Sequence, residues 1–110
     1  MKLAVTYEKG KITERFGKAS AFKFYEVEEG KVTAEDVREI GTNDHDEMAA
    51  FLKEAGAEKL ICGNICLGCQ EAVGKTGIDI LGCVKGDADA AVESFLAGTM
   101  QYETDPEKLK

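Results

Sequence analysis

Leu60-Ile61-Cys62 is a continuously apolar run that ends in a glycine-rich turn, Gly63-Asn64-Ile65-Cys66-Leu67-Gly68-Cys69. A strand that is apolar on both of its alternating faces belongs inside a sheet covered on both sides, where parallel strands are found. Gly68 to Lys75 can then form a helix ending near Gly77, and Ile78 to Leu81 supplies a further apolar strand. Strand, helix and strand in that order predict an α/β chain.

The amino-terminal half has a different rhythm. Leu3, Val5 and Tyr7 alternate with less apolar residues and predict a first strand, followed by a turn at Glu8-Lys9-Gly10-Lys11 and an aperiodic segment through Gly17. Phe22 to Val27 and Lys31 to Val37 flank Glu28-Glu29-Gly30, which predicts an antiparallel hairpin. Asp44 with Glu47 three residues on forms a capping box, and Met48, Phe51, Leu52 and Ala55 recur at helical spacing before Gly56. Asp87 caps a last helix carrying Ala91, Val92, Phe95 and Leu96, closed by Gly98. Residues 101–110 are polar, contain the only proline and lack an apolar period, so they are expected to form a frayed tail or a partner-dependent segment. With 110 residues the chain has room for one domain and one core.

Charge excludes some partners. The net charge is −7, without a basic patch or an aromatic stacking platform, so neither nucleic acid nor an anionic membrane is an expected partner. The first residues lack an apolar stretch of signal-peptide length, and no later segment reaches bilayer-spanning length. A cytoplasmic location is expected, and there four cysteines read better as thiols or thiolates than as structural disulfides.

Three of those cysteines, Cys62, Cys66 and Cys69, fall within eight residues, and Cys83 follows the next apolar run. In an open parallel sheet, ligands gather beyond the carboxyl ends of the strands, and all four cysteines and His45 are predicted at that edge. Soft thiolates with one imidazole point to a metal, a metal-sulfur cluster or electron handling. The amino terminus of the second helix would favour thiolates at Cys66 or Cys69. Arg15 and Lys18 would offset an anionic cofactor, and Asn64 would hydrogen-bond to cluster sulfur.

Other readings compete. Cys62-x3-Cys66-x2-Cys69 matches the spacing used by radical enzymes that employ S-adenosylmethionine, but the chain lacks room for their barrel. Structural zinc on four thiolates is an alternative, although two Cys-x2-Cys pairs would be more typical. Cys66 and Cys69 also have redox-dithiol spacing at a helix start. Cys62 and Cys83 fit equally as buried core residues, and His45 as part of a polar cap. Ser20 and Ser94 have no identifiable base, and a nucleotide-binding glycine series is missing.

Several stretches in one order resemble the dinitrogenase iron-molybdenum cofactor biosynthesis domain family across residues 1–98. They are Lys2-Leu3-Ala4-Val5, Arg15-Phe16-Gly17-Lys18-Ala19 with Phe22 to Val27, the helix start from Asn43 to Leu52, Cys62-Gly63-Asn64-Ile65 with Gly68, and Ala91 to Gly98. The resemblance implies a ribonuclease-H-like single domain: a mixed sheet, antiparallel in its N-terminal hairpin and parallel in its C-terminal half, with helices on both faces. Residues 99–110 would be a polar tail outside it.

It further implies a small carrier or scaffold, rather than an enzyme, for iron-sulfur or molybdenum-iron-sulfur clusters or their precursors. Partners would be a cluster donor or acceptor protein, and a homodimer is compatible. The relevant surface would lie at the loop after the first strand, at His45 and at Cys62 to Gly68. Many relatives carry histidine where this chain has Arg15, and small residues where it has Cys66 and Cys69. The expected set is therefore Cys66 and Cys69 as primary ligands, Cys62, Cys83 and His45 as further ligands, and Arg15 and Asn64 as supporting cofactor contacts. Zinc is the alternative metal.

Overall fold

Strand β1 (Lys2–Glu8) is the axis of the sheet in the computed structural model, which describes all 110 residues. On one side it pairs antiparallel with β3 (Ala21–Glu28), Leu3 opposite Tyr25 and Val5 opposite Lys23. On the other it pairs parallel with β5 (Lys59–Ile61), Ala4 beside Leu60. β4 (Lys31–Glu39) completes the hairpin at one edge and β6 (Asp79–Leu81) lies parallel to β5 at the other, so the order is β4-β3-β1-β5-β6. A short β2 (Lys11–Ile12) folds back on the end of β1, with Tyr7 opposite Ile12. The mixed α/β architecture agrees with the expectation from the sequence: an antiparallel half, then a parallel half.

Successive strand residues point to opposite faces, and this divides the core in two. Ala4, Phe22, Phe24 and Leu60 face α1 (His45–Glu54) and α2 (Leu67–Gly74), in a cluster of 18 buried residues. Leu3, Val5, Tyr25 and Ile61 face α3 (Ala88–Ala97), in a cluster of 11. The side with two helices holds the larger core. Asp44 accepts the Glu47 amide N–H at 3.0 Å and Asp87 the Ala90 amide N–H at 2.9 Å, so both predicted caps start their helices.

Phe16 tethers the loop that the sequence left without a period. It is fully buried in a one-turn 3-10 helix (Phe16–Lys18), its ring centroid 5.9 Å from that of Phe22. Arg15 and Lys18, on either side of Phe16 and Gly17, stay exposed.

The carboxyl-terminal segment differs from the expected frayed tail. Gly82 and Glu103 exchange backbone hydrogen bonds of 3.0 and 2.9 Å, and α4 (Pro106–Leu109) follows with Asp105 as its cap. Leu109 is only 2% exposed and belongs to the core under α1 and α2. It fits there because Gly82 has no side chain; a β-carbon at that position would collide with the Leu109 methyl. A single apolar residue among polar ones has no period, so its docking leaves no local pattern to read. No helix of the structure is long and apolar enough to cross a membrane.

Candidate functional site

The carboxyl ends of β1 and β5 are joined by backbone contacts between two loops. Asn64 donates its amide N–H to the Glu14 carbonyl and Phe16 donates to the Asn64 carbonyl, each at 2.9 Å. Gly63 permits this approach, because a β-carbon there would overlap the Glu14 carbonyl. The chain then enters α2, with Cys66 at the N-cap and Cys69 in the first turn.

That turn brings the two sulfurs to 3.1 Å. Cys69 is fully buried, whereas Cys66 is exposed. His45, the first residue of α1, reaches the same place across the α1–α2 contact, and the donor atoms of His45, Cys66 and Cys69 all lie within 4.8 Å of one another. Gly68 makes room for the imidazole: a β-carbon there would lie 2.9 Å from two atoms of the His45 ring. Asn43 secures the start of α1, its side-chain amide donating to the Gly17 carbonyl at 2.9 Å and the Ala19 carbonyl at 3.3 Å.

The two thiols of this group are held unequally. A hydrogen bond from the Cys69 thiol, helped by the backbone N–H groups of Cys69 and Gly68, lowers the Cys66 pKa. Burial pushes the Cys69 thiol up to about 12, and its interaction with Cys66 adds to the rise. Cys66 therefore ionises first, with Cys69 keeping its proton as donor. Three soft or borderline donors from two helices suit zinc, copper or iron in a sulfur-rich setting, and they leave coordination positions open.

The other expected residues are arranged differently. Cys62 is fully buried in the α1/α2 core and lies outside the three-donor group; burial pushes its thiol up to about 12, with smaller contributions from Cys83 and Cys69. Cys83 is exposed, also outside the group, and its thiol donates to the Lys108 carbonyl at 3.4 Å. The Asn64 side chain donates to the carbonyls of Leu109 and Lys110, at 3.2 and 3.4 Å, and thus secures the terminal segment. Arg15 lines a cavity of about 190 Å³ beside Cys66, shared with Gly17, Lys18, Asn64, Ile65 and Lys110. Three cations therefore line the cavity that Cys66 also lines, one of them, Lys110, already paired with Glu107 at 2.9 Å.

Three contributors escaped the sequence reading. In the sequence Asn43 stands out only as the first residue of the stretch to Leu52, Lys110 only as part of the polar tail, and Gln70 not at all. Gln70 in fact donates to the Ile65 carbonyl at 2.8 Å and the Pro106 carbonyl at 3.1 Å, tying loop to tail. Wider concavities exist, such as one of about 510 Å³ between Ile78, Tyr102 and Leu109, but the three-donor group is not part of their linings.

The profile of the dinitrogenase iron-molybdenum cofactor family matches residues 1–98, almost the whole chain. The chain belongs to the dinitrogenase iron-molybdenum cofactor family. Within this family setting, the fold recurs in solved structures of low identity. The crystal structure of PH0822 superposes with a TM-score of 0.88 at 22% identity, over 98% of this chain and 99% of that one. The apo form of the orange protein from Desulfovibrio gigas superposes with a TM-score of 0.79 at 23% identity, covering 93% and 92% of the two chains. At these identities the likeness establishes the fold alone. No curated protein matches the chain. The dinitrogenase iron-molybdenum cofactor family match ends at residue 98, so the segment that brings Leu109 and Lys110 to the site lies beyond it.

Proposed function

We propose that this protein binds a metal-sulfur cargo, an iron-sulfur or molybdenum-iron-sulfur cluster or its precursor, and passes it between a donor and an acceptor protein. The observation that carries this reading is the convergence of His45, Cys66 and Cys69 within 4.8 Å at the carboxyl edge of the sheet. Family membership supports the class of cargo, and the absence of a hydrolytic set in the sequence supports a carrier rather than an enzyme.

In this reading Cys66 and Cys69 supply thiolates and His45 one imidazole nitrogen, while Arg15, Lys18 and Lys110 offset anionic charge. Cys62 and Cys83 are then reserve sulfurs, one in the core and one on the surface. A ligand set open on one side suits transfer, because an acceptor can bind before the donor lets go. The strand order, with β3 running against the other four main strands, supports a ribonuclease-H-like assignment for this carrier domain.

Iron, molybdenum, zinc, copper and acid-labile sulfide per chain, measured on anaerobically purified protein together with its visible spectrum, test the proposal. Iron with matching sulfide, lost in Cys66→Ala/Cys69→Ala, is the expected result. A cluster that persists equally in that double variant would refute the assignment, and zinc without sulfide would move the site to structural or Lewis-acid use.

A further inference from the structure

The same pair of sulfurs has a second capacity, which goes beyond cargo binding and needs no metal. Cys66 is exposed and lines the cavity of about 190 Å³, and Cys69 is fully buried with its sulfur 3.1 Å away. One accessible sulfur backed by a buried neighbour is the layout of an attacking and a resolving cysteine. The cavity wall adds selectivity. Arg15 and Lys18 are exposed and form no ion pair, and Lys110 joins them although it is also paired with Glu107 at 2.9 Å. The chain as a whole carries −7, so two unpaired cations lining one cavity stand against its overall charge.

We propose that Cys66 and Cys69 exchange with low-molecular-weight disulfides that carry carboxylates, and that the resulting Cys66–Cys69 disulfide closes the site to cargo. The Cys66 thiolate attacks one sulfur of the disulfide, forming a mixed disulfide and releasing one thiolate. Cys69 gives its proton to water and attacks the Cys66 sulfur, so the second thiolate leaves. Two electrons pass from the cysteine pair to the substrate, whose S–S bond is reduced as the protein's is formed. Oxidation removes two of the three donors, so disulfide and cargo exclude each other.

The test uses the metal-free full chain in a Cys83→Ser background, with acid quenching and mass spectrometry of the cysteine peptides. Oxidised glutathione, which is anionic, and cystamine, which is cationic, are compared at low ionic strength. Each rate is divided by that of the urea-unfolded chain, which cancels intrinsic reactivity. The normalised rate is expected to favour glutathione by about threefold or more, the size of one ion-pair interaction near 6 Å in water. Arg15→Ala/Lys18→Ala is expected to erase that preference, and Cys69→Ser to hold one glutathione on Cys66.

A normalised rate equal to or higher for cystamine would overturn the proposal. So would a preference for glutathione that survives the double cation variant, or a Cys69→Ser protein that takes up no glutathione at Cys66. Because no metal takes part, failure to bind a cluster leaves the exchange result intact and removes only the exclusion of cargo, which rests on the proposed function; failure of exchange leaves the cargo reading intact.

Discussion

The His45 imidazole occupies the space that a β-carbon on Gly68 would need, so the bare α-carbon of residue 68 leaves the ring its place beside the two cysteines of α2. His45 is exposed, so a methyl at position 68 can displace the ring without disturbing the core. Gly68→Ala is therefore expected to lower affinity for a thiolate-imidazole probe such as Co²⁺ by about tenfold or more, through loss of one donor. Alanine is also the better helix former by roughly 1 kcal/mol, so thermal stability is expected to hold or rise. Cobalt titration followed by absorption, beside a melting curve, separates the two effects; unchanged cobalt affinity would show that His45 is not a ligand.

Raised thiol pKa values give a pH dependence with a defined sign. Cys62 and Cys69, both pushed up to about 12 mainly by burial, stay protonated in the folded chain while the unfolded chain releases those protons near 8.5. The unfolded state then binds fewer protons, so stability is intact below about pH 8.5 and falls as pH rises toward 12. Urea unfolding at a series of alkaline pH values is expected to show this decline, and Cys62→Val is expected to make it shallower. A slope identical in that variant would mean that Cys62 does not contribute.

On the far side of the sheet, Lys23 is nearly buried and donates to Asp89 at 2.7 Å, and Tyr25 donates to the same carboxylate at 2.6 Å. These two bonds, Lys23 first, lower the Asp89 pKa. The pair therefore stabilises the fold above the usual carboxylate range and loses that contribution as pH falls through it. Asp89 is largely exposed and Lys23 also meets Glu35 at 2.9 Å, so Asp89→Asn is expected to cost only about 1 kcal/mol at neutral pH. Metal binding should be unaffected, because the α3 layer does not touch the three-donor group. A joint loss of stability and cobalt binding would contradict that separation.

Leu109 anchors the segment that carries Lys110 to the cavity, and its carbonyl accepts the Ile65 amide N–H at 2.8 Å. Leu109→Ala is expected to destabilise the protein by about 2 kcal/mol, the low end for buried leucine, because a short terminal helix can undock rather than leave a void. Amide exchange at Ile65 should accelerate far more than at Ala4 on the central strand. Equal effects at the two positions would indicate global weakening instead.

Much of this arrangement was readable from local pattern. The Asp44 and Asp87 caps, the alternation on β1 and the apolar run at Leu60 each obey a short-range rule, and together they yield the mixed α/β order. The pairing of Cys66 with Cys69 follows from their spacing in one helical turn. That His45 joins them depends on how α1 crosses α2; Cys62 stays apart because it is buried in the core just past β5, and Cys83 because it lies just past β6 against the Lys108 carbonyl. The docking of Leu109 opposite Gly82 is a fit between residues 27 positions apart, and no periodicity records it.

The strands differ greatly in length across the sheet. β1, β3 and β4 run seven to nine residues, whereas β5 and β6, which support the cysteine loop, have three each. Leu60 and Ile61 are fully buried all the same, whereas β4 is exposed along most of its length, so the short strands are held by packing on both faces rather than by long ladders. Strand ends fixed by the core in this way leave the exposed Cys66 turn, and not the sheet beneath it, as the part of the site free to adjust.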